Sequence, residues 1–404
     1  QGAMGIAFSS VEFNDKKLIL RAPNIGAFYE GVPAADSIAG TWNQGGQSFE
    51  LNMYRDKVKK QSYRRPQEPE RPYPYREEEV TFKNTRDSLI LAGTLTLPNK
   101  TGSFPAVILI SGSGPQNRNE EVFGHKPFLV LADYLTRQGI AVLRYDDRGT
   151  AESTGNHATA TSQDFANDVL SAIEYLKNRG EIDNNQIGLI GHSEGGLIAS
   201  IVANRSDDVA FMVLLAGTGV PGKEISRMQG RTLLDVEVSD TIAYNRFIDK
   251  TIDIASSNKP ANVKKEELTQ HYKNSREVLN ELLPDGTDFD AFVEQQVEGA
   301  VRPWSQFFYN HDPADELRNI TIPVLSLIGS MDVQVPPDMN HPPIRKALEE
   351  AGNEDFTIKE LEGLNHMFQE SETGSMLEYS EIEQTFSPSV LEEISKWILE
   401  HIDN

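Results

Sequence analysis

The sequence predicts an α/β chain: a mostly parallel sheet with helices on both faces, a helical cap insertion, and a small N-terminal β-rich domain. Three observations carry this. From residue 77 onward, short apolar runs alternate with amphipathic stretches. The alternation stops over residues 220–318, where only helical patterning is found, and then resumes. Residues 1–56 show brief β-type runs separated by turn residues. The expected organisation is a β-rich domain at 1–56, a proline-rich linker at 57–76, and a main domain at 77–404 containing the cap.

In the first segment, Ile6-Ala7-Phe8, Val11-Glu12-Phe13 and Leu18-Ile19-Leu20 read as strands, with Asn14-Asp15-Lys16 as a hairpin turn. A further strand, Ser48-Phe49-Glu50-Leu51-Asn52-Met53, follows the turn Asn43-Gln44-Gly45-Gly46, and Trp42 offers an aromatic anchor. So few strands bury little surface alone. The expectation is that this segment packs on the main domain, or that its first strands lie outside this sequence. Next, Pro66, Pro69, Pro72 and Pro74 interleave with charges and with Tyr73 and Tyr75, a composition that favours extended polyproline II. A linker is the plainer reading and a proline-rich recognition motif the sharper one.

The main domain opens with two paired strands, Glu78–Phe82 and Leu89–Leu97. Buried strands follow at Ala106–Ile110, Ile140–Tyr145, Ile187–Ile190 and Val209–Leu215. Helical periodicity spans Phe128–Arg137 and Ser162–Asn178, the latter with Phe165, Val169, Ile173 and Leu176 on one face. Apolar strands alternating with such helices imply a parallel sheet covered on both sides. The cap shows helical stretches near 225–257, 264–283 and 289–308. The sheet resumes at Pro323–Ile328 and Phe356–Leu361, and residues 388–402 form a closing helix.

Composition excludes several classes of function. Thirty-eight basic against sixty-one acidic residues give a net charge of -23, which argues against nucleic acid or an anionic membrane surface as partner. There is no cysteine, hence no disulfide, thiolate metal site or cysteine nucleophile. No run of ~18 apolar residues is present to span a membrane. Neither metal-ligand spacing nor a phosphate loop is found, so no cofactor and no metal are expected. The opening Gln1-Gly2-Ala3-Met4 fits a removed leader, a trimmed chain or a tag scar. A leader would place the protein in the periplasm or outside the cell, and its absence in the cytoplasm. Compartment and oligomeric state, a dimer included, stay open.

The chemistry centres on Gly191-His192-Ser193-Glu194-Gly195, a G-x-S-x-G pentapeptide between the strand Ile187–Ile190 and the small-residue run from Gly196 to Ala203. Strand, tight turn and helix are the context in which a serine is held above a sheet at the positive end of a helix. Alone the pentapeptide is common, and a glycine-rich turn with an ordinary serine would produce it. A serine hydroxyl needs a base, and the base an orienting acid, both in strand-end loops. Asp332 follows the strand ending at Ile328 and is the acid candidate; the alternative is a solvated turn aspartate. His366 follows the last strand and is the base candidate, whereas His341 lies in a proline-flanked loop and His401 on the terminal helix. His192 is expected to point away from Ser193 and to be structural. Asp146 and Asp147 precede the serine and are expected to hold the Arg148-Gly149-Thr150 turn.

An oxyanion needs two backbone donors. The expected ones are the N–H of Glu194 and, from the glycine loop Ser111-Gly112-Ser113-Gly114-Pro115-Gln116, that of Ser113, with Gly114 as the alternative register. His125, in Gly124-His125-Lys126-Pro127, is a candidate pocket residue. So are Trp304 and Phe308 of the aromatic run Pro303–Tyr309, whose alternative role is to pack the cap onto the sheet.

With these segments in hand, the chain resembles the α/β-hydrolase superfamily. Within it, the chain is similar to bacterial carboxylesterases whose hydrolase domain follows a small β-rich domain. The loop at 111–116, His125-Lys126-Pro127-Phe128, Asp146-Asp147-Arg148-Gly149-Thr150, Gly191–Gly196 and Gly363-Leu364-Asn365-His366 carry the resemblance, which covers about residues 77–404. It implies hydrolysis of a small-molecule ester with a short acyl chain, and Ser193, Asp332 and His366 as a catalytic triad. Ala151 departs from the pattern, since such proteins usually have glycine there. A prolyl-oligopeptidase-type peptidase is the competing enzyme reading. Glu194 stands where those proteins typically place an aromatic, and residues 1–76 are too short for a β-propeller. A non-catalytic binding scaffold is the third reading, and labelling by a fluorophosphonate probe separates it from the other two.

Overall fold

The protein, described here from a computed structural model, is placed over residues 8–14, 16–22, 27–44, 47–55, 64–232, 238–283 and 287–402. It divides into two compact units, Tyr63–Ile225 with His311–Asn404, and Ile6–Ser62 with Ser226–Asn310.

The second unit begins with an antiparallel sheet, β1 (Ser10–Asn14), β2 (Lys17–Ala22), β3 (Ala27–Pro33), β4 (Ser37–Gln44) and β5 (Gln47–Glu50), with β6 (Met53–Tyr54) also pairing β4. The β1–β2 hairpin closes with Asn14 opposite Lys17. Ile6, Ala7, Asp15, Gly45, Gly46 and the basic run 57–60 lie outside the described residues. Strands β3 and β4 escape sequence reading because alanine and glycine dilute their β signal. The glycines have a packing reason: Gly31 sits opposite Gly40, and a Cβ on Gly40 would lie 2.3 Å from the Tyr29 hydroxyl. Tyr29 is fully buried in the space they leave. Trp42 meets Phe8 edge-on, with ring centroids 6.3 Å apart.

The first unit is built on one eight-stranded sheet. Its first half comprises β7 (Arg76–Asn84), β8 (Leu89–Leu97), β9 (Phe104–Ile110), helix α1 (Pro127–Arg137), β10 (Ala141–Tyr145), α2 (Ser162–Lys177), β11 (Ile182–His192), α3 (Glu194–Ala203) and β12 (Phe211–Leu215). Helix α4 (Gly222–Thr232) leads into the second unit, whose helices are α5 (Thr241–Ala255), α6 (Ala261–Asn274), α7 (Arg276–Asn280), α8 (Phe289–Ala300) and α9 (Pro303–Asn310). Among the described residues, 220–318 hold no strand, as the patterning predicts. Tyr244, Phe247, Leu268, Tyr272, Leu279, Phe289, Val293 and Val297 form the core of these helices. The first unit then closes with α10 (Pro313–Leu317), β13 (Val324–Gly329), α11 (Pro337–Glu350), β14 (Phe356–Leu361) and α12 (Pro388–Ile402).

The strand order is β14-β13-β12-β11-β9-β10-β8-β7. Pairs from β14 through to β10 are parallel, while β8 runs antiparallel to both β10 and β7. Side chains alternate faces along each strand. Val107 and Leu109 of β9 therefore share a core with α1 and α12, where Leu131, Leu135, Ile394 and Ile398 are buried. Helices α2 and α3 pack on β9 and β11. The sheet, mostly parallel with helices on both faces, is the one expected, and it directs the ends of β9, β11, β13 and β14 to one edge.

Residues 64–75, within the proline-rich stretch, follow the surface of this unit. Arg65 donates to four carbonyls distant in sequence, those of Gly124 at 3.1 Å, Phe123 at 3.3 Å, and Ser380 and Ile382 at 2.8 Å each. Gln67 accepts from the amides of Thr385 and Phe386 and donates to the Phe386 carbonyl.

Candidate active site

Strand β11 ends at His192 and α3 starts at Glu194, so Ser193 alone makes the turn, at φ 54° and ψ -118°. That left-handed backbone is costly for a residue with a Cβ and persists only where its surroundings fix it. The flanking glycines are required by contact. A Cβ on Gly191 would lie 2.1 Å from the Gly195 carbonyl oxygen, and one on Gly195 would lie 2.1 Å from that of Ile110. The Ser193 amide donates to the Leu215 carbonyl at 2.8 Å, which pins the turn to β12.

Asp332 lies in the loop after β13 and is buried. Its Oδ1 accepts from the amides of Gln334 and Val335, both at 2.8 Å. Its Oδ2 accepts from His366 Nδ1 at 2.7 Å. Three donors hold the carboxylate in one orientation, and a proton on Nδ1 leaves Nε2 of His366 with its lone pair. The His366 turn is itself fixed. Asn365, fully buried, accepts from the amides of Met367 and Gln369 at 3.0 Å each. His366 reaches the elbow through its neighbour: His192 Nε2 donates to the His366 carbonyl at 3.0 Å, and the two imidazole centroids are 4.8 Å apart. His192 thus sits in a buried network with Glu120 and the His366 carbonyl.

The glycine loop after β9 comes against the elbow. A Cβ on Gly112 would lie 3.2 Å from Ser193 Cβ. Gly112 donates its N–H to Glu120 Oε1 at 2.7 Å, which engages that amide, and Ser113 after it is exposed. Gly114 follows at φ +95° and lines a small cavity behind the loop with Ser111, Asp147 and His157. Glu194 turns its carboxylate inward to accept the Ser162 hydroxyl at 2.7 Å, while its backbone opens the first turn of α3. Asp147 clasps the loop at both ends, accepting the Ser111 hydroxyl and the Gln116 amide at 2.8 Å each. Burial pushes the Asp147 carboxyl well above the usual carboxylate range, against those two hydrogen bonds. The aspartate pair therefore does more than hold its own turn: Asp146 binds the Arg118 guanidinium at 2.7 Å.

His125 has both ring nitrogens engaged. It is buried, Nε2 donates to the Tyr379 carbonyl at 2.7 Å, and Nδ1 accepts from the Thr385 hydroxyl at 2.9 Å. Trp304 and Phe308 belong to the second unit, where their rings stack at 5.0 Å. His341 lies on helix α11 rather than in a loop. Sequence reading missed Glu120, which accepts from both Gly112 and His192 Nδ1, the latter at 2.9 Å. No local pattern announces it, because its partners are brought together only by the fold. Among the described residues, no group of three His, Cys, Asp or Glu is placed to hold a metal, and no helix is long and apolar enough to cross a membrane.

Comparison with known proteins adds three findings. Residues 126–294 match a family described as serine aminopeptidase, S33; the stretch includes Ser193 and ends before Asp332 and His366. A relative, esterase EstD of Thermotoga maritima, is 25% identical over 329 residues, 81% of this chain and 68% of its own. Among solved structures, the α/β hydrolase GrgF from Penicillium superposes with a TM-score of 0.50 at 18% identity, over 81% of this chain and 100% of its own.

Proposed function

Taking as premise that this chain has the α/β-hydrolase fold, we propose that it is a serine hydrolase that cleaves carboxylic esters with short acyl chains through an acyl-enzyme. The observation that carries this is the 2.7 Å bond from His366 to a fully satisfied Asp332, in chain order after a Ser193 held at φ 54°. Similarity to an esterase over most of the chain supports it.

In this reading Ser193 Oγ attacks the ester carbonyl while His366 Nε2 takes its proton. Asp332 keeps the imidazole in the required tautomer and stabilises the imidazolium that forms. The amides of Ser113 and Glu194 receive the oxyanion, the second at the positive end of α3. His366 then protonates the leaving alcohol, the acyl-enzyme remains, and a water activated by the same nitrogen releases the acid. The reactant is a small-molecule ester, and no step calls for a metal or cofactor.

Peptide-bond cleavage is the second reading, favoured by the aminopeptidase description of the matched family. Glu194 in place of an aromatic after the nucleophile weighs against it. A panel of nitrophenyl acyl esters and aminoacyl amides, run on the protein and on Ser193→Ala, separates the two. Ester turnover that vanishes in Ser193→Ala is expected. Equal ester turnover in Ser193→Ala rejects the assignment, and a preference for amides selects the peptidase.

A further inference from the structure

We propose that Glu120 and His192 form a positioning pair that holds the oxyanion loop and the loop bearing His366 in register with Ser193. The inference rests on the serine-hydrolase reading above and adds residues that the triad does not include.

Its basis is one chain of contacts. Glu120 Oε1 accepts from the Gly112 amide at 2.7 Å and from His192 Nδ1 at 2.9 Å. His192 Nε2 donates onward to the His366 carbonyl at 3.0 Å. A single carboxylate oxygen and a single imidazole thus tie the loop after β9, the residue before the nucleophile, and the residue proposed as base. Both side chains are buried, Glu120 at 3% and His192 at 7% exposure. A buried carboxylate with no compensating cation would be costly, so its placement asks for a reason.

Two further observations sharpen that reason. Glu120 has φ +50°, a left-handed conformation unusual for a residue of its size, with its amide bonded to the Asn117 carbonyl at 2.8 Å. Strain of this kind gathers where a side chain must be aimed. In addition, His192 meets an acceptor at each ring nitrogen. The His366 carbonyl can only accept, which requires a proton on Nε2, and a second proton must then lie between Nδ1 and Glu120. Although burial lowers the His192 pKa, the charge of Glu120 and its hydrogen bond outweigh that, aided by the His366 carbonyl and the charge of Asp332, leaving it above its ordinary value. The pair is therefore ionic or shares one proton. Both forms fix the ring, and through it the backbone on which His366 turns. Shifts of a fraction of an ångström in donor or base position are enough to reduce turnover without changing substrate affinity.

The test uses three single variants, each assayed well below its own Tm. Glu120→Gln keeps an oxygen for Gly112 but removes the charge. His192→Asn can still reach Glu120 but not the His366 carbonyl, and His192→Gln has the reverse reach. With p-nitrophenyl acetate, kcat is expected to fall ~10–100-fold in each, with KM within about twofold. Losses in Glu120→Gln and His192→Asn combined should be less than multiplicative. Nuclear magnetic resonance of the histidine ring protons supplies a readout independent of turnover. The downfield His366 Nδ1 proton bonded to Asp332 should move in Glu120→Gln. Unchanged kcat in all three variants, a rise in KM alone, or an unmoved His366 proton overturns the proposal. Absence of Ser193-dependent turnover in the unaltered protein would instead reject the hydrolase reading, and the His366 proton would still decide whether the pair positions that ring.

Discussion

Asp147 accepts the Ser111 hydroxyl at 2.8 Å, which joins the loop after β10 to the loop after β9. The two loops follow neighbouring parallel strands, so the bond fixes where the glycine loop leaves the sheet. Its second oxygen takes the Gln116 amide and closes the loop. In Asp147→Asn only one of these donors keeps an acceptor, and the other meets an amide N–H. A destabilisation of about 1–3 kcal/mol by urea unfolding is expected, with a fall in kcat. The pH dependence has a definite sign. The folded-state pKa is raised, so the contribution of this group is complete at acid pH and is lost as pH climbs through that value. Asp147→Asn should lack this decline.

Asp332→Asn preserves shape but offers an amide to His366 Nδ1 in place of a carboxylate oxygen. The imidazole then favours the wrong tautomer, with its proton on Nε2. A fall in kcat of ~10³–10⁴-fold on p-nitrophenyl acetate is expected, with the protein still folded by circular dichroism. A loss below about tenfold would contradict the assigned role.

Ala151 has φ +46° on an exposed turn. The carboxylesterases that the chain resembles usually have glycine here, and the backbone has the conformation that glycine prefers. Relief of the left-handed penalty, roughly 1–2 kcal/mol, exceeds the added entropy of an unfolded glycine, roughly 0.4–1 kcal/mol. Ala151→Gly should therefore raise stability by about 0.5–1 kcal/mol with kcat unchanged, read from the urea midpoint.

Three histidines should make the fold acid-labile. Burial pushes His125, His157 and His341 each down to about 4. Between that value and the ordinary 6.5 the unfolded chain binds protons that the folded chain refuses, so stability falls as pH drops through this window. For buried His125 the slope is about 1 kcal/mol per pH unit. Urea unfolding between pH 4 and 6.5 should show a shallower slope in His125→Gln, whose amide can still donate to the Tyr379 carbonyl. An unchanged slope would mean that His125 is not refused its proton.

The parallel sheet was legible because most of its strands are apolar runs, and the candidate places of Ser193, Asp332 and His366 because each follows a strand. Helix α11 was not. Pro336, Pro337, Pro342 and Pro343 suggest a loop, yet Pro337 occupies the first turn, where a missing N–H costs nothing, and Asn340 donates back to the Pro336 carbonyl at 2.9 Å. Glu120 was invisible for another reason. Its partners stand 8 and 72 residues away along the chain, and only the closure of the sheet brings them together. His125, beside a glycine turn, reads in the sequence as a pocket candidate, and its partners Thr385 and Tyr379 are legible only in the fold.

The hydrogen bonds of Arg65 and Gln67 move a boundary. Composition places the start of the main domain at residue 77, after the last proline of the stretch. The four carbonyls gripped by Arg65 and the backbone groups of 385–386 met by Gln67 lie beyond that start, so a fragment cut there would lose these partners. Tyr75, buried and bonded to Asp133 at 2.9 Å, would go with them. What reads as a tether between domains is therefore, over residues 64–75, bonded into the unit that carries Ser193, and a fragment of that unit beginning near residue 64 is expected to be more stable to urea than one beginning at residue 77.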